Sequence, residues 1–139
     1  MMNKQLKILI ASGGTGGHVI PAYSLASYLI KNKNFVELVT DIRGLKFLEN
    51  YKELNLTINN SSTIFKSNIF KIPFALLVII GSFIKSFLIL KKLKPNIVFG
   101  MGGHSSFTIC LAAKILKIPL IIYESNLFLG KSNKYLLPY

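Results

Sequence analysis

An α/β fold built on a parallel sheet follows from three features of the sequence. Short apolar runs recur along the chain at Leu6–Ala11, Phe35–Thr40, Asn96–Phe99 and Pro119–Tyr123. The first is uninterrupted and rich in Ile and Leu, as a strand buried on both faces requires. Stretches with helical periodicity separate the runs, the alternation that gives right-handed parallel crossovers. Two of the runs end in glycine-rich loops that open into helices.

In chain order, Leu6–Ala11 is the first strand and residues 12–18 the first glycine loop. Pro21 is expected in the first turn of a helix over Ala22–Ile30, where its missing N–H costs least. Phe35–Thr40 forms the second strand, followed by Asp41. Lys46–Leu54 is expected as a short helix. Leu56–Phe65 holds one or two short strands around Asn59 and Asn60. Ile69–Lys94 is a long apolar segment edged with lysines. Asn96–Phe99 is a strand after Pro95, Ser105–Leu116 a helix and Pro119–Tyr123 another strand. Leu129–Tyr139 begins one more helix with no closing element after it. Residues 1–139 are therefore expected to form one domain of a protein incomplete at its C-terminal end.

The formal net charge is +12, from 17 Lys and Arg against 5 Asp and Glu, yet 51% of residues are hydrophobic and mean hydropathy is +0.49. A basic and apolar chain suits an anionic, partly apolar partner such as a membrane surface. Nucleic acid is disfavoured, because no basic stretch is interleaved with exposed aromatics. Cys110 is the only cysteine, so no internal disulfide forms and the default compartment is the cytoplasm. Ile8–Ala11 is too short for the apolar region of a signal peptide.

The chemistry concentrates at the two loops. Gly13-Gly14-Thr15-Gly16-Gly17-His18 follows a strand and precedes a helix. Bare glycine amides at a helix N-terminus accommodate an anion, and ligands sit outside the carboxyl ends of parallel strands. The spacing is neither the dinucleotide fingerprint nor a P-loop; a tight strand-to-helix turn is the alternative to an anion site. Gly100-Met101-Gly102-Gly103-His104-Ser105-Ser106 repeats the arrangement. Both histidines of the chain fall in these loops, and imidazole is the usual general base near neutral pH. Glu124-Ser125-Asn126 closes the last strand at the same rim. Glu124 is either a ligand group or the cap or partner of something nearby.

Phe74–Ile84 is almost continuously apolar, with Lys66, Lys71, Lys85, Lys91, Lys92 and Lys94 around it. A spanning helix needs about 20 apolar residues with few charges, and Lys85 interrupts the run. A core helix would show a polar face. An interfacial helix is favoured over pure core, with Phe74, Leu77, Ile80 and Phe83 entering the bilayer and Lys71 and Lys85 meeting anionic headgroups.

These motifs resemble those of MurG-type glycosyltransferases. The first loop with Pro21-Ala22 is similar to their first signature. Residues 95–103 are similar to their second, and Ile118-Pro119 through Glu124-Ser125-Asn126, Gly130, Asn133-Lys134 and Leu136 to their third. The order and spacing hold over nearly the whole chain. The resemblance implies a Rossmann-like parallel sheet flanked by helices, the N-terminal, acceptor- and membrane-side domain of a two-domain GT-B enzyme. It implies transfer of N-acetylglucosamine from UDP-N-acetylglucosamine to an undecaprenyl-diphosphate-linked muramyl pentapeptide, with inversion, in peptidoglycan synthesis. Such an enzyme sits peripherally on the cytoplasmic face of the bacterial inner membrane. The donor-binding C-terminal domain would be supplied in cis or by a partner chain in trans, and this half alone is expected to be inactive.

An acceptor hydroxyl must lose a proton as it attacks the anomeric carbon. His18 is the first choice of base and Glu124 the second. Gly14, Thr15, Gly16 and Gly17, with Gly102, Gly103, His104, Ser105 and Asn126, are the expected substrate contacts. No acidic pair suits a metal, and no cofactor is expected. His104 stands where the family has tyrosine, Phe107-Thr108 where it has Gly-Pro, Tyr123 where histidine is common and Ser125 where glutamine is. These departures place the exact acceptor in question. The alternative is a non-catalytic half of a split lipid-linked sugar transferase that anchors acceptor and membrane.

Overall fold

The computed structural model describes residues 5–48, 54–60 and 72–136, with the backbone alone at 72–75 and 131–132. Five parallel strands form one sheet: β1 (Lys7–Ala11), β2 (Phe35–Thr40), β3 (Asn55–Ile58), β4 (Ile97–Gly100) and β5 (Leu120–Ile122), in the order β3-β2-β1-β4-β5. The chain winds outward from β1 through β2 to β3, then returns to the other side of β1 for β4 and β5. The reversal falls between β1 and β4, where a doubly wound sheet opens a crevice at its carboxyl edge. Ala11 pairs with Gly100 there, and Met101 N donates to Ala11 O at 2.8 Å, so both glycine loops leave the sheet side by side.

The uninterrupted apolar character of β1 has its cause in the layers. Ile8 and Ile10 face a core with Val19, Ala22 and Ala26 of α1 (Gly16–Lys31). Leu9 and Ala11 face a second core with Leu90 of α3 (Ile72–Leu93) and Ile109, Ala112 and Ala113 of α4 (His104–Ile115). Alternate side chains thus enter opposite cores, and both faces of the strand must be apolar. Among the described residues the remaining helices are α2 (Ile42–Leu45) and α5 (Lys131–Leu136).

Two expected elements differ. The first helix starts at Gly16, not Ala22, so Pro21 is interior. Pro21 cannot donate to Gly17 O, and Gly17 is exposed at the rim, where water can serve that carbonyl. Of the helix expected over Lys46–Leu54, residues 46–48 form a turn that follows a short helix not expected there, α2, set by the Asp41 side chain, which accepts from Arg43 N at 3.1 Å and Gly44 N at 3.0 Å. Residues 49–53 lie outside the described residues, as do residues 61–65 of the expected strand region.

α3 carries its polarity inside out. Ser82 and Ser86 are buried, while Leu77 (67% exposed), Ile80, Ile84 and Leu88 (60%) face outward. The serines meet a buried polar cluster with Asn59 and Thr108. Asn59 Nδ2 donates to Ser86 Oγ at 2.8 Å, Ser86 Oγ donates to Thr108 Oγ1 at 3.0 Å, and Thr108 Oγ1 donates to Ser105 O at 3.3 Å. Thr108, which departs from the resembling family, is buried and joins α4 to α3.

Candidate functional site

The two glycine turns touch. A Cβ at Gly103 would lie 2.9 Å from Gly13 Cα, and one at Gly13 would lie 2.5 Å from Ser105 Oγ. Gly102 and Gly103 hold φ of 92° and 87°, and Gly14 holds 58°, conformations that glycine adopts without a Cβ penalty. Ser105 Oγ donates to Ser12 O at 3.1 Å and bolts the start of α4 to the end of β1. Ser105, an expected substrate contact, is buried in that structural bond; its hydroxyl serves the scaffold because the loops pack too closely to leave it exposed.

In the first turn Thr15 caps α1 through its backbone, its carbonyl accepting from His18 N and Val19 N at 3.0 Å each. Gly16 packs against the Phe47 ring, whereas a Cβ on Gly17 would meet nothing within 4 Å. Gly17 is therefore the open point of the turn. The His18 ring lies on the bare face of Gly102: a Cβ there would come within 2.8 Å of Cε1 and 2.9 Å of Nδ1. His18 Nδ1, Ser12 Oγ and Thr40 Oγ1 are buried polar atoms without hydrogen-bond partners among the described residues. All three lie where β1 and β2 run into the rim.

His104 opens α4 half-buried. Burial holds its pKa below the ordinary histidine value, the positive charge of Arg43 lowers it further, and Asp41 opposes this. Arg43 was not singled out in the sequence, although it follows the end of β2 by three residues. Its Nη2 donates to Asp41 Oδ2 at 2.6 Å and its Nε to the same oxygen at 3.2 Å. Its guanidinium also covers Gly14, where a Cβ would sit 2.7 Å from Nη2.

Glu124 takes a different part from the one expected of a base. Its carboxylate accepts from Gly130 N at 2.8 Å, Asn126 N at 3.1 Å, Asn126 Nδ2 at 2.8 Å and Asn133 Nδ2 at 2.9 Å. The Gly130 N–H contributes most to holding its pKa down at about 2, with slight burial opposing and the Asn126 and Asn133 donors adding. So weak a base accepts a proton poorly near neutral pH. Asn126, an expected substrate contact, turns its side-chain amide toward Glu124. The loop is latched to α5, and Leu127 (92% exposed) and Phe128 project from it.

On α3, Leu77 and Ile80 are exposed as expected and Lys85 is exposed, with Nζ donating to Ile58 O at 2.6 Å. Phe83 instead packs inward against the second core, because it lies on the side of the helix that meets the sheet. Lys66 and Lys71 lie outside the described residues, as does the side chain of Phe74. Among the described residues no helix is long and apolar enough to cross a membrane.

Residues 8–139 match the glycosyltransferase family 28 N-terminal domain. Over 138 residues the chain is 44% identical to a UDP-N-acetylglucosamine--N-acetylmuramyl-(pentapeptide) pyrophosphoryl-undecaprenol N-acetylglucosamine transferase of Pelagibacter ubique, covering 99% of this chain and 37% of that protein. A protein of the same name from Rhodospirillum centenum is 39% identical over 129 residues, covering 93% of this chain and 34% of that one. The chain thus spans little more than a third of the length of these curated relatives. Among solved structures, MurG of Acinetobacter baumannii superposes with a TM-score of 0.79 at 26% identity, over 94% of this chain and 38% of that one. A UDP-N-acetylglucosamine 2-epimerase shares the fold, with a TM-score of 0.66 at 18% identity.

Proposed function

The chain belongs to glycosyltransferase family 28 through its N-terminal domain, and on that premise we propose that it is the acceptor- and membrane-side part of an inverting sugar transferase. The reaction is that of the relatives' name: N-acetylglucosamine passes from UDP to an undecaprenyl-diphosphate-linked muramyl pentapeptide. The observation that carries this reading is the contact between the two glycine turns at the point where the strand order reverses. That contact brings both turns and the His18 ring to one rim of the sheet, and it supports placing the substrate crevice there.

In this crevice an acceptor hydroxyl attacks the anomeric carbon as the bond from that carbon to the UDP oxygen breaks. The hydroxyl proton passes to the His18 imidazole and UDP leaves as the diphosphate anion. Amides around Thr15, Gly16 and Gly17 donate to phosphate oxygens, the role that oriented N–H groups perform best in a water-poor site. Glu124 and Asn126 hold the rim loop that borders the acceptor. The greater length of the relatives supports a donor-binding domain beyond this one, in the same polypeptide or in a partner chain. The outward apolar stripe of α3 supports peripheral docking on an anionic membrane, on the cytoplasmic face of the bacterial inner membrane.

The test is incorporation of labelled N-acetylglucosamine from its UDP donor into the lipid acceptor, using the full-length gene. Loss of general base catalysis costs about 100-fold or more, and His18→Ala is expected to show it. Glu124→Ala is expected to lose less, through disorder of its loop. Unchanged turnover in His18→Ala removes the base assignment, and no transfer by the unaltered protein removes the function.

A further inference from the structure

Arg43 stands apart from the residues assigned above. It belongs to neither glycine turn, yet its guanidinium covers Gly14, in the turn after β1, where a Cβ would lie 2.7 Å from Nη2 and 2.9 Å from Cζ, while its charge reaches His104 in the turn after β4. The contacts to Asp41 use Nε and Nη2 of a group with five N–H donors. They fix the plane of the guanidinium and leave half of the side chain exposed. Asp41 is itself fixed, since its other oxygen accepts from Arg43 N and Gly44 N. A half-exposed arginine is ordinarily a mobile surface group. This one is held by Asp41 beside the N-terminus of a 16-residue helix, with Ser12 Oγ, buried and without a hydrogen-bond partner among the described residues, immediately before the turn it covers.

We propose that Arg43 is a substrate-binding residue that grips a phosphate or diphosphate group seated on the first glycine turn, with Asp41 as its positioning residue. The chemistry is that of a fork of parallel N–H donors meeting the paired oxygens of a phosphate, which a planar guanidinium matches and an ammonium does not. The turn supplies backbone donors on one side and Arg43 supplies charge on the other. The proposal deepens the reading of the crevice as the place where a diphosphate is handled, and rests on it. The diphosphate of a nucleotide sugar and that of a lipid carrier present the same oxygens to this clamp.

The experiment measures binding on the 139-residue chain, without sugar transfer. Inorganic pyrophosphate is titrated by calorimetry while the ring resonances of His18 and His104 are followed by NMR. UDP and farnesyl diphosphate are then added as competitors. Pyrophosphate is expected to bind and to shift both rings, and the competitor that displaces it names the source of the natural diphosphate. Loss of a charge-assisted pair weakens binding about tenfold or more in Arg43→Ala, while Arg43→Lys retains part of the affinity and loses the fork. Far-UV circular dichroism checks the fold of each variant, and should Arg43→Ala unfold, the Lys variant carries the comparison. Wild-type affinity in a folded Arg43→Ala or Arg43→Lys, or displacement of pyrophosphate by neither competitor, overturns the proposal. Because transfer is assayed separately, such a result leaves the catalytic reading standing.

Discussion

At Gly17 and Gly102 the same substitution has opposite consequences. Gly17 is helical, exposed and open on the side where a Cβ would stand. Alanine there gains helix propensity of roughly 0.5–1 kcal/mol while filling the turn's only unobstructed glycine. Gly17→Ala is expected to raise the denaturation midpoint and, on the proposed function, to lower sugar transfer by the product of the full-length gene. Gly102, at φ 92° and under the His18 ring, has room for neither the backbone penalty nor the methyl. Gly102→Ala is expected to cost about 1–2 kcal/mol from the left-handed backbone alone and to displace the imidazole. Equal effects in the two variants would remove the distinction between an open and a packed turn.

Glu124 gives a pH test. Its pKa falls from 4.5 to about 2 on folding. The folded state therefore binds fewer protons than the unfolded one between these values. The latch is fully present above pH 4.5 and is lost as pH falls through about 2. The Gly130 amide resonance should titrate with a midpoint near 2, and Asn133→Ala should move that midpoint upward. A midpoint at the ordinary glutamate value would dismiss the latch. The position of Glu124 at the rim was legible from the strand before it. Its role was not, because the decisive donors come from Gly130 and Asn133, six and nine residues onward, and only the fold brings them to one carboxylate. Arg43 was missed for a related reason: a lone arginine after a strand carries no signal until Gly14 is seen beneath it.

Among the elements, legibility followed burial. β2 matches its expected bounds, and β1, β4 and α4 lie within a residue of theirs, since two-sided or one-sided cores impose the pattern directly. The start of α1 was read late because glycines argue against helix on propensity, whereas here the crevice requires them in its first turn. α3 is the hardest to read, because apolar residues lie on both its core side and its outward side while two serines are buried. Ser82 and Ser86 enter the protein beside Phe83 and Leu90, while Leu77, Ile80, Ile84 and Leu88 face outward, so the segment shows no ordinary polar face. Ser86→Ala tests that arrangement. It strips Asn59 Nδ2 of its 2.8 Å partner, leaving only contacts at 3.5 Å, and an unsatisfied buried donor costs about 1–3 kcal/mol. Leu88→Ala on the opposite side should change stability by no more than about 0.5 kcal/mol, as surface substitutions do. A reversed ranking in urea denaturation would place the core on the other side of α3.

For the molecule as a whole, the question is where a charge of +12 meets an apolar surface. Part of the charge has a local cause. Lys33, Lys94 and Lys117 each follow a helix with φ near 50–60°, and cations there favour the negative end of the helix dipole. Lys91 and Lys92 occupy the last turn of α3, directly beyond Leu88 in the outward stripe. Leu77, Ile80, Ile84 and Leu88 extend over about 16 Å of helix at 1.5 Å per residue, enough for one face to lie in a headgroup layer with the lysines at its end. Apolar contact should then set the strength of membrane binding, and charge its salt dependence. The chain is expected to float with vesicles containing phosphatidylglycerol and to be released as salt screens the lysines. Ile80→Ser with Ile84→Ser should weaken partitioning about tenfold or more, from roughly 1 kcal/mol for each half-immersed side chain, without lowering the denaturation midpoint. Lys91→Gln with Lys92→Gln should cost about 1 kcal/mol for each charge and flatten the salt dependence. Both pairs point to the solvent side of α3, so loss of binding in a folded variant cannot be a loss of core. Equal flotation with uncharged vesicles, or wild-type flotation by the serine pair, would mean that the stripe meets something other than an anionic bilayer.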